Sequence, residues 1–294
     1  MKISIIGAGR LGGALAIALA RSGHTIENLV ARNIENAKKI ADYINPKPEI
    51  LFADAFSKIS SDTILITTQD FEIENAAKRL AKNIENKPFV FHTSGSLSSD
   101  VLRDLKVAGC KIGSIHPLVS ISNAIFGAER FETAYFCVEG DEASLKISEK
   151  IVADLKGKSF RVAAEYKTLY HAAAVTACGH LTALVDVAIE MLNKCGLEND
   201  AAREIFLPLI KSTIENLQTQ TPAEALTGTF ARADVAGFEN HLKILRENVS
   251  DEAVEVYLQL AARSTRLAER QGANPSRIAE ILEKITLAKK NFKC

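Results

Sequence analysis

The chain has 294 residues, 47% of them hydrophobic and 24% charged, with 36 basic and 36 acidic side chains and a formal net charge of zero. That length is long for one core and comfortable for two domains, and the composition is that of an ordinary globular protein. The charge balance gives no basic face for nucleic acid and no signal for a membrane surface, so neither is expected as a partner.

The first half alternates strand and helix. An apolar strand over Lys2–Ile6 runs into Gly7-Ala8-Gly9-Arg10-Leu11-Gly12, and a helical pattern follows from Gly13 to Arg21. Met1-Lys2 ahead of apolar residues has some look of a signal peptide. Arg10 breaks that run, however, and Arg21-Ser22-Gly23-His24 is a poor cleavage site. Next come a strand near Thr25–Val30, a helix near Ile34–Tyr43, the turn Asn45-Pro46-Lys47-Pro48 and a short strand near Ile50–Phe52. Strands follow at Thr63–Thr67, Phe89–Phe91 and Cys110–Ile115, with helices over Phe71–Lys82 and Ser98–Ala108 between them. Ala134–Val138 and Ser159–Val162 are two further strand candidates around a helix from Glu142 to Leu155. Strands spaced by short helices imply a doubly wound, mostly parallel sheet.

The alternation stops near Ala163. Helical patterns cover Glu165–Cys195, Asn199–Gln218, Ala233–Glu247, Asp251–Gln271 and Pro275–Phe292, with Pro275 a helix start and Gly196 and Gly272 helix stops. The expected division is residues 1–162 and 163–294, an α/β domain followed by an all-α domain. The charge-free stretch Thr168–Val185 is short for a membrane span and reads as a buried helix. The five cysteines (Cys110, Cys137, Cys178, Cys195 and Cys294) are odd in number and scattered, without metal-ligand spacing. They read as reduced, small apolar fillers in a cytoplasmic protein, and no metal is expected.

The glycine turn has the strand–turn–helix context of a dinucleotide-binding fingerprint. Gly7 permits the tight turn, Gly9 lets the backbone approach a pyrophosphate, and Gly12 lets helix and sheet pack closely. The free N–H groups of the helix start and its partial positive charge suit phosphate. An acidic residue ends the second strand in NAD-type sites; here that strand ends Leu29-Val30-Ala31-Arg32-Asn33. A guanidinium there can hold a 2′-phosphate, which favours NADP(H), while the plainer reading of Arg32 is a solvated surface arginine.

Ligands in such sheets lie beyond the carboxyl ends of the strands. Those ends carry Thr67-Thr68-Gln69-Asp70, His92-Thr93-Ser94-Gly95-Ser96 and His116-Pro117-Leu118. Hydroxyl residues and a glycine there can approach a cofactor closely. Asp70 reads as the N-cap of the helix beginning at Phe71, and Ser96 could cap the next helix. His92 and His116 either touch ligand or pack. Beyond the boundary, Lys167 and His171 are four apart and share a helical face with the small residues Ala174 and Cys178. Such a pair could protonate a carbonyl oxygen, or be an exposed lysine and a packed histidine.

Taken in order, Gly7–Gly12, His92-Thr93-Ser94-Gly95, Ile115-His116-Pro117-Leu118, Leu169-Tyr170-His171-Ala172-Ala173-Ala174-Val175 and Leu226-Thr227-Gly228-Thr229-Phe230-Ala231-Arg232 resemble the Rossmann-like oxidoreductases with a DUF2520-type helical domain. The resemblance covers nearly the whole chain. It implies a C-terminal domain like that of 6-phosphogluconate dehydrogenase, and an NADPH-dependent reductase of a small 2-oxo acid. Ketopantoate is the first choice of substrate, in pantothenate synthesis. The wider group pairs a lysine with an asparagine four residues on, and Lys167 and His171 match that spacing with His for Asn. Gly179 and His180 stand where an Asn–aromatic pair is usual, and Gln69 stands where a proline is usual. Arg232 is retained in the last motif and could hold a substrate carboxylate or pair with Asp234.

The resulting expectation has four parts. Gly7, Ala8, Gly9, Arg10, Leu11, Gly12, Arg32, Thr67, Thr68, Gln69, Thr93 and Ser94 hold the cofactor. Ser94, Gly95, His116 and Arg232 hold the substrate. Lys167, His171 or His116 supplies the proton. The long apolar helices of the second domain make a homodimer. The alternatives are another NADP-dependent reductase, of pyrroline-5-carboxylate or a 3-oxo acid, and a nucleotide-binding sensor without turnover.

Overall fold

A computed structural model describes residues 1–53 and 55–290. Cys294 and the expected end of the last helix at Phe292 lie outside the described residues. The elements run β1 (Lys2–Ile6), α1 (Arg10–Arg21), β2 (Thr25–Ala31), α2 (Ile34–Ala41), β3 (Glu49–Phe52), β4 (Thr63–Ile66), α3 (Asp70–Ala81), β5 (Phe89–His92), α4 (Arg103–Val107), β6 (Lys111–Pro117), α5 (Ala124–Gly127), β7 (Tyr135–Gly140), α6 (Glu142–Asp154) and β8 (Lys158–Arg161). The helical region follows as α7 (Lys167–Lys194), α8 (Asn199–Thr219), α9 (Gly228–Ala231), α10 (Val235–Asn248), α11 (Asp251–Arg270) and α12 (Pro275–Lys290).

The eight strands form one sheet in the order β3-β2-β1-β4-β5-β6-β7-β8. Every pairing is parallel except β6–β7. The central strands are apolar and buried on both faces, as a sheet covered by helices on each side requires: Ile3, Ile5, Ile64, Ile66, Val90 and Phe91 have at most trace exposure. One apolar cluster fills the face under α1 and α6, a second the face under α3 and α4. The strand order reverses between β1 and β4, and this opens the crevice where ligands bind in such sheets. Register then sets the levels: Ile6 pairs with Ile66, Ile66 with His92, and His92 with Ser114, so His116 projects one pleat further along the same face of β6.

The doubly wound sheet followed by helices is the architecture read from the sequence. Some elements differ. Ser98–Ala108 is not one helix but a 3-10 turn at Ser99–Leu102 followed by the short α4. Residues 124–131, unassigned from sequence, form α5 and a 3-10 turn.

The chain divides into two compact units, residues 1–178 and 179–294, so the division falls inside α7. In the second unit α10, α11 and α12 enclose Phe238, Val254, Leu258, Ile278, Ile281 and Ile285, with the Phe238 and Tyr257 rings stacked. The expectation that Thr168–Val185 is buried is not met: of all α7, only Lys167 is buried. The segment Ala164–Lys194 is long and apolar enough to cross a membrane by length and composition. Likewise α8 buries only Ala202, leaving Ile205, Leu207 and Leu209 more than half exposed. The later turns of α7 are partly covered, where Met191 packs against the core of the second unit. Cys110 and Cys137 are buried fillers, whereas Cys178 and Cys195 are exposed, contrary to the reading of them as fillers.

Candidate functional site

The first part of the site is the glycine turn. Gly7 has φ +106, and a Cβ there would lie 2.9 Å from the backbone of Thr67 and Thr68. The Gly12 Cβ position falls on the Gly7 carbonyl and the Thr67 hydroxyl, too close for any side chain. Helix α1 therefore presses onto the end of β1 and β4. Thr67 Oγ1 donates to the Gly7 carbonyl at 2.7 Å, and Asn36 Nδ2 donates to the Ala8 carbonyl at 3.0 Å, so the turn is braced from two sides. The start of α1 at Gly9 has no side-chain cap and no acidic residue in its first turn. Its N–H groups are thus left for an anion.

A cleft of about 730 Å³ opens at this turn. Its walls include Gly7, Ala8, Gly9 and Arg10, then Arg32, Asn33 and Asn36, then Thr67, Thr68, Gln69, Glu72 and Arg79. Leu11 and Gly12 stand behind the turn rather than in the lining. Arg32 Nη1 meets Glu72 Oε1 at 2.8 Å, tying the end of β2 to α3. Asn33, beside it, caps α2 through the Asn36 N–H. Thr68 Oγ1 is a buried hydroxyl without a protein partner. An uncapped helix start, a cradle that no Cβ could enter and an orphaned hydroxyl are the donor set a dinucleotide's phosphates and ribose require.

The second part lies at the ends of β5 and β6. Asp70 is not the cap of α3: Gln69 holds that position, and Asp70 Oδ2 instead accepts the hydroxyls of Ser94 and Ser96, each at 2.7 Å. Ser94 Oγ also accepts from the Leu97 N–H. Ser94 and Ser96 therefore shape the loop after β5; Ser96 caps no helix. Thr93 is buried, with its N–H on the Ile66 carbonyl. Thr93 and Ser94, expected against the cofactor, are outside the lining of the cleft.

His92 is fully buried. Its Nδ1 accepts the Ser94 N–H at 3.2 Å, so its proton is on Nε2, which donates to the Ser98 carbonyl at 3.1 Å. Burial, reinforced by Lys167, holds its pKa down at about 3. It is a neutral strut for the loop.

Lys167 is not the exposed lysine that its position at the helix start allows. The structure buries it completely; Nζ meets Ser114 Oγ at 2.5 Å and Glu139 Oε2 at 3.7 Å. Glu139 also takes the Ser99 N–H at 2.8 Å and the Ser99 hydroxyl at 2.6 Å. Ser114 and Glu139 face each other across the β6–β7 ladder, so Lys167 anchors the first turn of α7 to the sheet. Desolvation lowers its pKa, opposed by Glu139. An ammonium so enclosed and paired ties the first turn of α7 to the sheet.

Instead, α7 brings Tyr170 and His171 to His116. Tyr170 Oη lies 2.7 Å from His116 Nδ1, and the His116 ring meets the Tyr170 and His171 rings edge-on, with centroids 5.6 Å apart in both cases. Burial, then His171 and Lys167, push His116 down to about 4, and burial raises the Tyr170 phenol. Both are neutral at pH 7. His171 Nδ1 is buried without a partner. A Cβ on Gly95 would lie 2.6 Å from it and 2.8 Å from His116 Cε1 and Nε2. Gly95 is the floor on which the two imidazoles meet. Tyr170, not singled out from sequence, lies three residues after Lys167 on the same helical face, and that spacing was the available signal.

Arg232 follows α9 in the second unit and is exposed, while Asp234, its considered partner, caps α10 through the Gly237 N–H.

The fold and the glycine turn define a Rossmann-type α/β chain with a helical region behind it. Residues 1–117 match the model of the Rossmann-like domain, and residues 134–264 match that of DUF2520, a domain of unknown function. The chain thus carries a Rossmann-like domain followed by a DUF2520 domain. Among solved structures it is similar to a Bacteroides fragilis protein assigned as an NADP oxidoreductase, at 23% identity and TM-score 0.73, covering 90% of this chain and 98% of that one. Protein TM1727 of Thermotoga maritima is similar at 23% identity and TM-score 0.70, covering 92% and 99%. The imine reductase of Myxococcus stipitatus, solved with NADP+, is similar at 15% identity and TM-score 0.63, covering 96% and 100%. At these identities the likeness is one of fold. No curated protein matches the sequence.

Proposed function

We propose that the chain is an NADP(H)-dependent reductase of a small carbonyl or imine compound. The observation that carries this is the presence of two features at the carboxyl ends of strands of one sheet, β1 and β2 on one side and β6 on the other, with β4 and β5 between them. One is a phosphate-fitting glycine turn with Arg32 beside its cleft; the other is the neutral His116–Tyr170 pair, with His171 and its unpartnered Nδ1 against it. The Gly7–Gly12 turn, Thr68 and Arg32 would hold the cofactor, which supplies hydride when bound. The solved relatives include one assigned as an NADP oxidoreductase and one imine reductase solved with NADP+.

The residues' own work is binding and proton handling. The Tyr170 phenol, kept protonated by burial, donates to His116 Nδ1, which leaves the His116 proton on Nε2, beside Gly95. That N–H donates to the substrate atom that gains negative charge, and Tyr170 can follow with its own proton. His171 Nδ1 is a second contact for the same group. Lys167 and Glu139 fix the helix that carries Tyr170 and His171.

Ketopantoate remains the first substrate to test among 2-oxo acids, with Arg232 as the candidate for its carboxylate. The neutral His116–Tyr170 pair also favours C=N reduction: a developing alkoxide calls for a nearby cation, and Lys167 is already paired with Glu139, whereas an iminium loses its charge as it is reduced. Steady-state NADPH oxidation against ketopantoate, pyrroline-5-carboxylate, 3-oxo acids and cyclic imines, with NADH as the control, separates these readings. Tight NADPH binding with no oxidation across the panel would favour a sensor. Comparable use of NADH would remove Arg32 from its role.

The uncovered apolar faces of α7 and α8 support a homodimer, and the scattered thiols a cytoplasmic location.

A further inference from the structure

Resting on the NADP(H) reading, we infer that Glu72 is a counter-ligand that competes with the 2′-phosphate for Arg32 and so sets how tightly the cleft holds 2′-phosphorylated adenosine. Along α3, Glu72, Asn75, Ala76 and Arg79 share the face that lines the cleft. Across from them stands Arg32, and the 2.8 Å ion pair to Glu72 joins two elements forty positions apart in sequence. The Arg32 side chain is 69% exposed and that of Glu72 28%, so the carboxylate is the better shielded partner. Arg79 lies over the Phe56 ring, 4.8 Å from its centroid, with Nη2 on the Ala53 carbonyl. Glu72 is the only acidic side chain among the described residues of the lining.

A phosphate monoester reaching Arg32 must displace that carboxylate and then sit close to it. A dianion and a carboxylate a few ångströms apart at a wet surface repel by an amount worth roughly tenfold in affinity. Glu72 in this view trades tight binding for ready exchange. The opposite view makes Glu72 a brace that presets the Arg32 guanidinium. The two views predict opposite signs for the same substitution.

The test is calorimetric titration of the full chain with adenosine 2′,5′-bisphosphate and with 5′-AMP, for the wild type, Glu72→Gln and Arg32→Gln. Expected are a wild-type preference for the bisphosphate, a roughly tenfold tightening of that ligand alone in Glu72→Gln that shrinks as salt is added, and loss of the preference in Arg32→Gln. A wild-type preference that Glu72→Gln leaves unchanged or weakens overturns the inference and leaves the cofactor reading standing. No wild-type preference, with one appearing in Glu72→Gln, overturns the cofactor reading for the native chain and supports Glu72 as the residue responsible. No preference in either overturns both.

Discussion

Gly95→Ala places a single methyl group where the two imidazoles of the cluster meet. The added Cβ would lie 2.6 Å from His171 Nδ1 and 2.8 Å from His116 Cε1 and Nε2, against an ordinary contact of 3.4–4 Å. Each ring must therefore retreat by about 0.6–0.8 Å to reach ordinary van der Waals contact. Neither moves alone: His116 is tied to Tyr170 at 2.7 Å, and His171 shares α7 with the buried Lys167. Overpacking of this kind costs about 1–3 kcal/mol. A reacting group displaced by about 1 Å loses roughly a hundredfold in rate. Gly95 is not part of the cleft lining, so nucleotide affinity should stay within about twofold. The assays are kcat/KM with the best substrate of the panel, titration with adenosine 2′,5′-bisphosphate and a thermal melt. Turnover within roughly threefold of wild type would refute the placement of the reacting group at the His116–His171 junction. Loss of nucleotide binding in step with activity would show that the methyl group acts on the fold.

Glu139→Gln should destabilise the chain by about 3–5 kcal/mol in chemical denaturation, because it leaves the buried Lys167 ammonium facing a neutral amide, and Lys167→Met in the same background should recover part of the loss. Stability should fall between pH 7 and pH 5. His92 and His116 are held at about 3 and about 4 when folded, the unfolded chain takes up protons on them from about pH 6.5 downward, and each contributes about 2 kcal/mol of that loss. His92→Gln should show a shallower fall between those pH values, and an equal slope would refute the assignment of a buried neutral histidine. Leu209→Glu, on the exposed face of α8, should convert a dimer to a monomer by light scattering after size exclusion; a wild type already monomeric would end the dimer proposal.

The parts of the chain legible in sequence were those governed by local chemistry. The glycine turn follows from which backbones can approach one another, and the sheet from apolar runs spaced by helices. His116 and His171 could be named, but not their meeting on Gly95, which depends on β5, β6 and α7 converging from 76 residues apart. The burial of Lys167 was hidden for the same reason. Helical spacing puts it on one face with His171, and spacing says nothing of what that face meets. Glu139 and Ser114, which receive the ammonium, come together only through the antiparallel β6–β7 ladder. A buried charge draws its own partners, and these lie on elements that its helical spacing does not reveal. At the cluster, burial pushes the pKa values of His116 and Tyr170 away from neutrality in opposite directions. The His116 imidazole stays unprotonated well below pH 7 and the Tyr170 phenol protonated well above it. Such a pair keeps a fixed hydrogen bond with neither member carrying a charge at rest.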